Sequence, residues 1–175
     1  MDHTRLKIDP VDGIVQPPVR LTGKRRGCRT NVLRSLKFVL NALWNRRWAF
    51  HFYKPVDTKQ VGMANYYNVI KEPMDLGTIK KRFNNNYYRK GYQAIRDFKL
   101  VFANCFTFHE KGTVVRNACK KLKTFFYYLL STIDLNNEEN LAMKPKGGVP
   151  PKKSPREETK LPQKTKTVPV IPKSK

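Results

Sequence analysis

Residues 65–83 read NYYNVIKEPMDLGTIKKRF, and the punctuation of this stretch predicts two short helices with a turn between them. Tyr66, Tyr67, Val69 and Ile70 form an apolar segment. It must stop near Glu72, because the residue before Pro73 is driven out of the helical region. Asp75 then offers a side-chain acceptor for a new N-terminus. Leu76, Ile79 and Phe83 recur at helical spacing, and Lys80, Lys81 and Arg82 put positive charge at the C-terminal end, where the helix dipole favours it.

On the N-terminal side, residues 46–64 alternate neither as helix nor as strand, yet contain Trp48, Phe50, Phe52, Tyr53, Val56, Val61 and Met63. So apolar a loop loses too much by staying solvated. It is expected to fold over one end of a helical bundle and line a concavity, or else simply to cover the core. Before it, Leu33, Leu36, Leu40, Leu43 and Trp44 mark a long helix capped by Thr30 and ending near Asn45. Residues 1–29, with Pro10, Pro17, Pro18, Gly13, Gly23 and Gly27, read as an irregular basic arm resting on the domain.

On the C-terminal side a long helix is predicted from Lys90 to about Phe108. Ala94, Phe98, Val101, Cys105 and Phe108 form one stripe, and Ile95, Phe102 and Phe106 form the next, so the helix is buried on more than one side. After a break at His109 to Gly112, a last helix carries Val115, Ala118, Cys119, Leu122, Phe125, Phe126, Leu129 and Ile133. The folded part is thus placed at residues 30–137. Residues 138–175, rich in proline and lysine and without aromatics after Lys144, read as a disordered basic tail.

The 175 residues suffice for one core with tails, and no internal repeat is visible. The formal charge of +23 is spread widely: residues 30–137 alone carry 19 basic and 6 acidic side chains, a net +13. An anionic partner is the simplest implication, nucleic acid first. Cys28, Cys105 and Cys119 are too few for a disulfide framework and suit a reducing compartment. There is no signal-like N-terminus, and the longest apolar run, Phe125 to Leu130, is too short to span a bilayer. A soluble nuclear protein is expected, with the basic clusters at Lys24–Arg26 and around Lys152 and Lys153 as import candidates.

The tyrosine pair followed by I-K-x-P-M-D-L-x-T-I-K-K-R resembles the centre of a bromodomain, most closely the first bromodomain of the bromodomain and extra-terminal family. The resemblance covers roughly residues 30–135 and implies an all-α fold, a left-handed four-helix bundle with a long first interhelical loop. It also implies a pocket for acetylated lysine between that loop and the short loop before the last helix. Position by position, Phe50, His51 and Phe52 occupy the family's W-P-F shelf. Val56, Val61 and Met63 form the loop wall, and Tyr66 reaches the acetyl carbonyl through water. Cys105, Phe108, His109 and Val115 make the opposite wall. The implied partners are acetylated histone tails and other chromatin proteins, with DNA or RNA held by the basic tails, and no membrane.

The departures from the family pattern concentrate in this pocket. His109 stands where the family has an asparagine that donates to the acetyl oxygen, Phe108 replaces a tyrosine, and Phe50 and His51 replace tryptophan and proline. Thr113 and Val114 replace two acidic residues. Two readings stay open: a neutral imidazole donating one hydrogen bond in the asparagine's place, or a pocket filled by its own side chains.

Enzymatic chemistry is not indicated. Cys105 and His109 at i and i+4 suggest a nucleophile with its base, or two metal ligands, but no further ligand presents itself and Cys105 sits on a core stripe. Asp57, Asp75 and Asp97 read as loop, cap and surface positions, so no acid–base pair forms. No phosphate-cradling glycine loop is present, and no cofactor is called for.

Overall fold

Three short polar side chains start three of the helices. Thr30 accepts from the Leu33 N–H at 3.0 Å, Asp75 from the Thr78 N–H at 2.8 Å, and Thr113 from the Arg116 N–H at 3.4 Å. Each cap satisfies a donor that the helix itself leaves open and contributes about 1 kcal/mol. The computed structural model describes residues 9–21, 27 and 29–141. In chain order the helices are α1 (Asn31–Trp44), α2 (Tyr66–Val69), α3 (Leu76–Asn84), α4 (Gly91–Phe108) and α5 (Val114–Leu130), with a 3-10 turn at Ala49–Phe52. No strand forms among the described residues, so the fold is all-α.

The helices α1, α3, α4 and α5 form a bundle around Leu36, Leu40, Leu43, Ile79, Phe98, Leu122 and Phe126. All seven are buried, each contributing about 1.5–3 kcal/mol by leaving water. The turn between α2 and α3 sits where Pro73 requires it, and the Asn104 amide of α4 fixes it by donating to the Glu72 carbonyl at 2.8 Å.

The structure departs from the sequence reading in three places. First, α5 ends at Leu130 rather than continuing through Ile133. Ser131 and Thr132 turn their hydroxyls onto the Tyr128 and Leu129 carbonyls, both at 2.7 Å, and so compete with the helical ladder. Second, Asp97 is buried, not on the surface. Its Oδ2 accepts from Arg82 Nη1 at 2.5 Å and from the Tyr88 hydroxyl at 2.6 Å. A carboxylate can leave water here because both donors leave with it. Third, residues 138–141 pack on the bundle. Glu138 accepts from the Thr30 hydroxyl at 2.6 Å and from the Gly91 N–H at 2.8 Å, placing a carboxylate at the N-terminus of α4. The Leu141 N–H donates to the Arg29 carbonyl at 2.7 Å.

Residues 9–21 lie against α3. Val15 is buried, Arg82 Nε donates to the Pro18 carbonyl at 2.8 Å, and Asn85 donates to that of Val19 at 3.0 Å. Cys28, the basic cluster at Lys24–Arg26 and the tail beyond Leu141 lie outside the described residues. Among the described residues, no helix is long and apolar enough to cross a membrane.

Candidate functional site

The long loop between α1 and α2 is held at both ends, and that fixes its shape. At the α1 end, Tyr53 stacks on Trp44 with ring centroids 4.1 Å apart and planes 11° from parallel, while its hydroxyl donates to the Trp44 carbonyl at 2.5 Å. Gly77, in the first turn of α3, lets this backbone come close: a Cβ there would lie 2.2 Å from the Tyr53 carbonyl oxygen. At the α2 end, the Tyr67 hydroxyl donates to the Val56 carbonyl and accepts from the Val15 N–H at 3.0 Å. One phenol thereby ties the arm to the loop. Between the anchors, Ala49 and Phe52 are buried, whereas the tip around Gly62, whose φ is 77°, turns outward.

Opposite the loop, α4 ends at Phe108 and its last carbonyls need donors. Arg116 supplies them from the first turn of α5, with Nη1 donating to Phe106 O at 2.7 Å and His109 O at 2.5 Å. That grip sets the backbone of His109. The ring of Phe108 meets the edge of Tyr66 with centroids 4.8 Å apart, and Phe108 and His109 lie at 5.3 Å with planes near perpendicular. Tyr66 is buried, and its hydroxyl makes no hydrogen bond among the described residues. Burial pushes that hydroxyl well above the ordinary tyrosine range, so it stays a neutral donor.

The two histidines share this end of the molecule. Burial lowers the His51 imidazole below its ordinary value; His109 is lowered by burial first, then by the charges of His51 and Arg116. Both are therefore mainly neutral near pH 7, each with one donor and one acceptor. The Phe50 and His51 rings lie 3.7 Å apart between centroids with planes tilted by 34°, and Phe50 is 61% exposed, which leaves the shelf open to solvent.

Among the residues expected to line a pocket, Tyr66, Phe108 and His109 form one chain of contacts, and Cys105 with Val115 forms another, the Cys105 sulfur lying 3.8 Å from the Val115 carbonyl oxygen. Phe50, His51 and Phe52 follow one another on the 3-10 turn, and Val56 and Met63 are half-buried in the loop. Val61 differs from the expected wall position: it is fully exposed, because the turn at Gly62 carries it away from the bundle. Cys105 and Cys119 are both buried free thiols; their mutual hydrogen bond holds Cys105 below its ordinary value and, with burial, pushes Cys119 far up. The Cys119 sulfur lies 3.8 Å from the Phe102 carbonyl oxygen, so both thiols rest on backbone of the core. No group of three or more His, Cys, Asp or Glu side chains gathers to hold a metal among the described residues.

Sequence reasoning missed three positioning side chains: Tyr67, Asn104 and Arg116. The second tyrosine of the pair was legible only as an apolar residue. An arginine in the first turn of α5 runs against the helix dipole, and that breach of the ordinary charge rule was the signal available for Arg116. The bromodomain family model matches residues 36–121, from Leu36 in α1 to Lys121 in α5, so every residue expected to line the pocket lies within bromodomain-like sequence, while the core residues Leu122 and Phe126 lie just beyond it.

Proposed function

We propose that the cleft between the long loop and the α4–α5 turn binds acetylated lysine, and that the chain acts as a non-enzymatic, chromatin-associated reader in the nucleus, serving transcriptional regulation. Its partners on this reading are acetylated segments of chromatin proteins, histone tails among them, and its sequence resembles the first bromodomains of the bromodomain and extra-terminal family. The observation that carries the reading is the run Tyr66–Phe108–His109, an apolar wall ending in a neutral imidazole, with a phenol hydroxyl beside it that has no protein partner among the described residues. An acetamide leaving water loses about 1–3 kcal/mol for each polar group left unpaired, so such donors are what its carbonyl requires.

In this reading His109 performs the asparagine's task with a bulkier ring and one donor fewer. Replacing it as His109→Asn supplies an amide, and acetylated-peptide binding should tighten by about 1–2 kcal/mol, roughly 5- to 30-fold. Titration calorimetry of both proteins against one acetylated histone peptide and its unmodified form tests this. Absence of acetyl-dependent binding in both proteins would sink the reading.

A basic nucleic-acid-binding bundle is the second reading, favoured by a groove of about 720 Å³ in which Lys54, Lys80 and Lys81 surround the stacked Trp44 and Tyr53. Lysines beside a half-buried aromatic stack suit phosphates and bases. Affinity for duplex or single-stranded DNA that falls steeply and linearly with the logarithm of salt concentration, with no response to acetylated peptide, would favour it.

A further inference from the structure

The chemistry flanking the ligand lysine can be read from the charges around the cleft. Residues 46–64 and 104–121, the two segments that face each other across it, carry four basic residues each against one carboxylate each, Asp57 and Glu110. The remaining carboxylates between residues 30 and 130 are used elsewhere: Asp75 caps α3, Asp97 is enclosed with Arg82 and Tyr88, and Glu72 pairs with Arg96 at 3.0 Å. Two cations of these segments lie over aromatic faces. Lys121 Nζ lies 5.7 Å from the Trp48 ring, just before the shelf, and the Arg46 guanidinium 4.3 Å from that of Phe125. Lys111 is exposed in the α4–α5 turn, two residues past His109, whose own backbone carbonyl is gripped by Arg116.

From this arrangement we infer that the cleft selects an acyl-lysine set in an acidic peptide segment, not one set in a basic tail. The inference rests on the acetyl-lysine reading and adds the sequence context that the rim selects. Like charges brought together at a binding surface cost affinity and slow association, whereas opposite charges steer the partner in. Every flanking Lys or Arg of a basic tail would meet a rim of its own sign. Flanking Asp, Glu or phosphorylated residues would find partners in Lys111 and Lys121.

The test uses the full chain and four synthetic peptides of equal length with a central lysine: acidic-flanked and basic-flanked, each acetylated and unmodified. Calorimetry at about 50 mM and about 300 mM NaCl brackets strong and weak screening. At low salt the acidic acetylated peptide should bind about tenfold or more tighter than the basic acetylated one, an advantage that shrinks at high salt. The double variant Lys111→Glu/Lys121→Glu should abolish or reverse the preference, and Lys111→Gln/Lys121→Gln should halve it on a logarithmic scale. Equal or tighter acetyl-dependent binding of the basic peptide overturns the inference and leaves the acetyl-lysine reading standing. Acidic peptides that bind equally with and without the acetyl group overturn that reading instead. A preference that survives both double variants belongs to the basic tails, and overturns the role given to the rim.

Discussion

The helix α4 carries two polar clusters that do opposite things. Near its N-terminus Asp97 is enclosed, and each of its donors, Arg82 and Tyr88, is committed to it. At its C-terminus, His109 and the neighbouring Tyr66 hydroxyl make no side-chain hydrogen bonds among the described residues, and Trp48 Nε1, buried at the same end, has no partner there either. Buried polar groups are nearly always matched, so a cluster left open is a place where a ligand or water supplies the missing partner. The difference separates a cluster that stabilises the fold from one that, on the proposed reading, is left for a ligand.

The largest effect should come from breaking the closed cluster. In Asp97→Ala the Arg82 guanidinium stays buried without its counter-charge, and the loss should be about 3–5 kcal/mol by denaturant unfolding. A loss below about 1 kcal/mol would show that Arg82 escapes to solvent. Next comes the seam between the loop and α3: Gly77→Ala drives a Cβ to within 2.2 Å of the Tyr53 carbonyl oxygen, whose residue cannot retreat without unstacking from Trp44. A cost of about 1–3 kcal/mol is expected, despite the alanine's better helix propensity, with weaker acetyl-peptide binding because the shelf moves.

Smaller again is Tyr67→Phe, which leaves the Val15 N–H and the Val56 carbonyl without their shared partner. About 1–2 kcal/mol should be lost, and limited proteolysis should cut the arm before the bundle in the variant only. The smallest effect belongs to the open cluster. His51 and His109 both titrate below their unfolded value, so the unfolded chain binds more protons and folding stability falls as pH drops below about 6.5. Melting temperatures at pH 7.5 and 5.5 should show a steeper decline for the native chain than for His51→Gln/His109→Gln, the difference isolating these two groups. Equal declines would mean that both imidazoles are as solvated folded as unfolded.

Much of this was legible in one dimension. The caps Thr30 and Asp75, the halt before Pro73 and the apolar spacings of α1, α3, α4 and α5 are local matters, settled by residues within one or two turns of each other. Such signals survive without knowledge of the fold, because a helix end is decided by its own neighbours. The family resemblance also located the long loop and the α4–α5 turn, since both are set by the chain order of the helices.

Tertiary structure alone decided what those residues touch. Asp97 looks like a surface carboxylate until Arg82, fifteen positions away, is folded onto it. Tyr67 becomes a staple only when Val15 and Val56 converge on its hydroxyl. Glu138 becomes a cap for α4 only when the chain returns to it from beyond α5. Val61, apolar and set in an apolar loop, reads as lining and is fully exposed because one glycine turns the chain outward. The caps of α1 and α3 depend on neighbours in sequence; the Glu138 cap, charge pairing, stapling and exposure depend on neighbours in space, which exist only once the chain has folded.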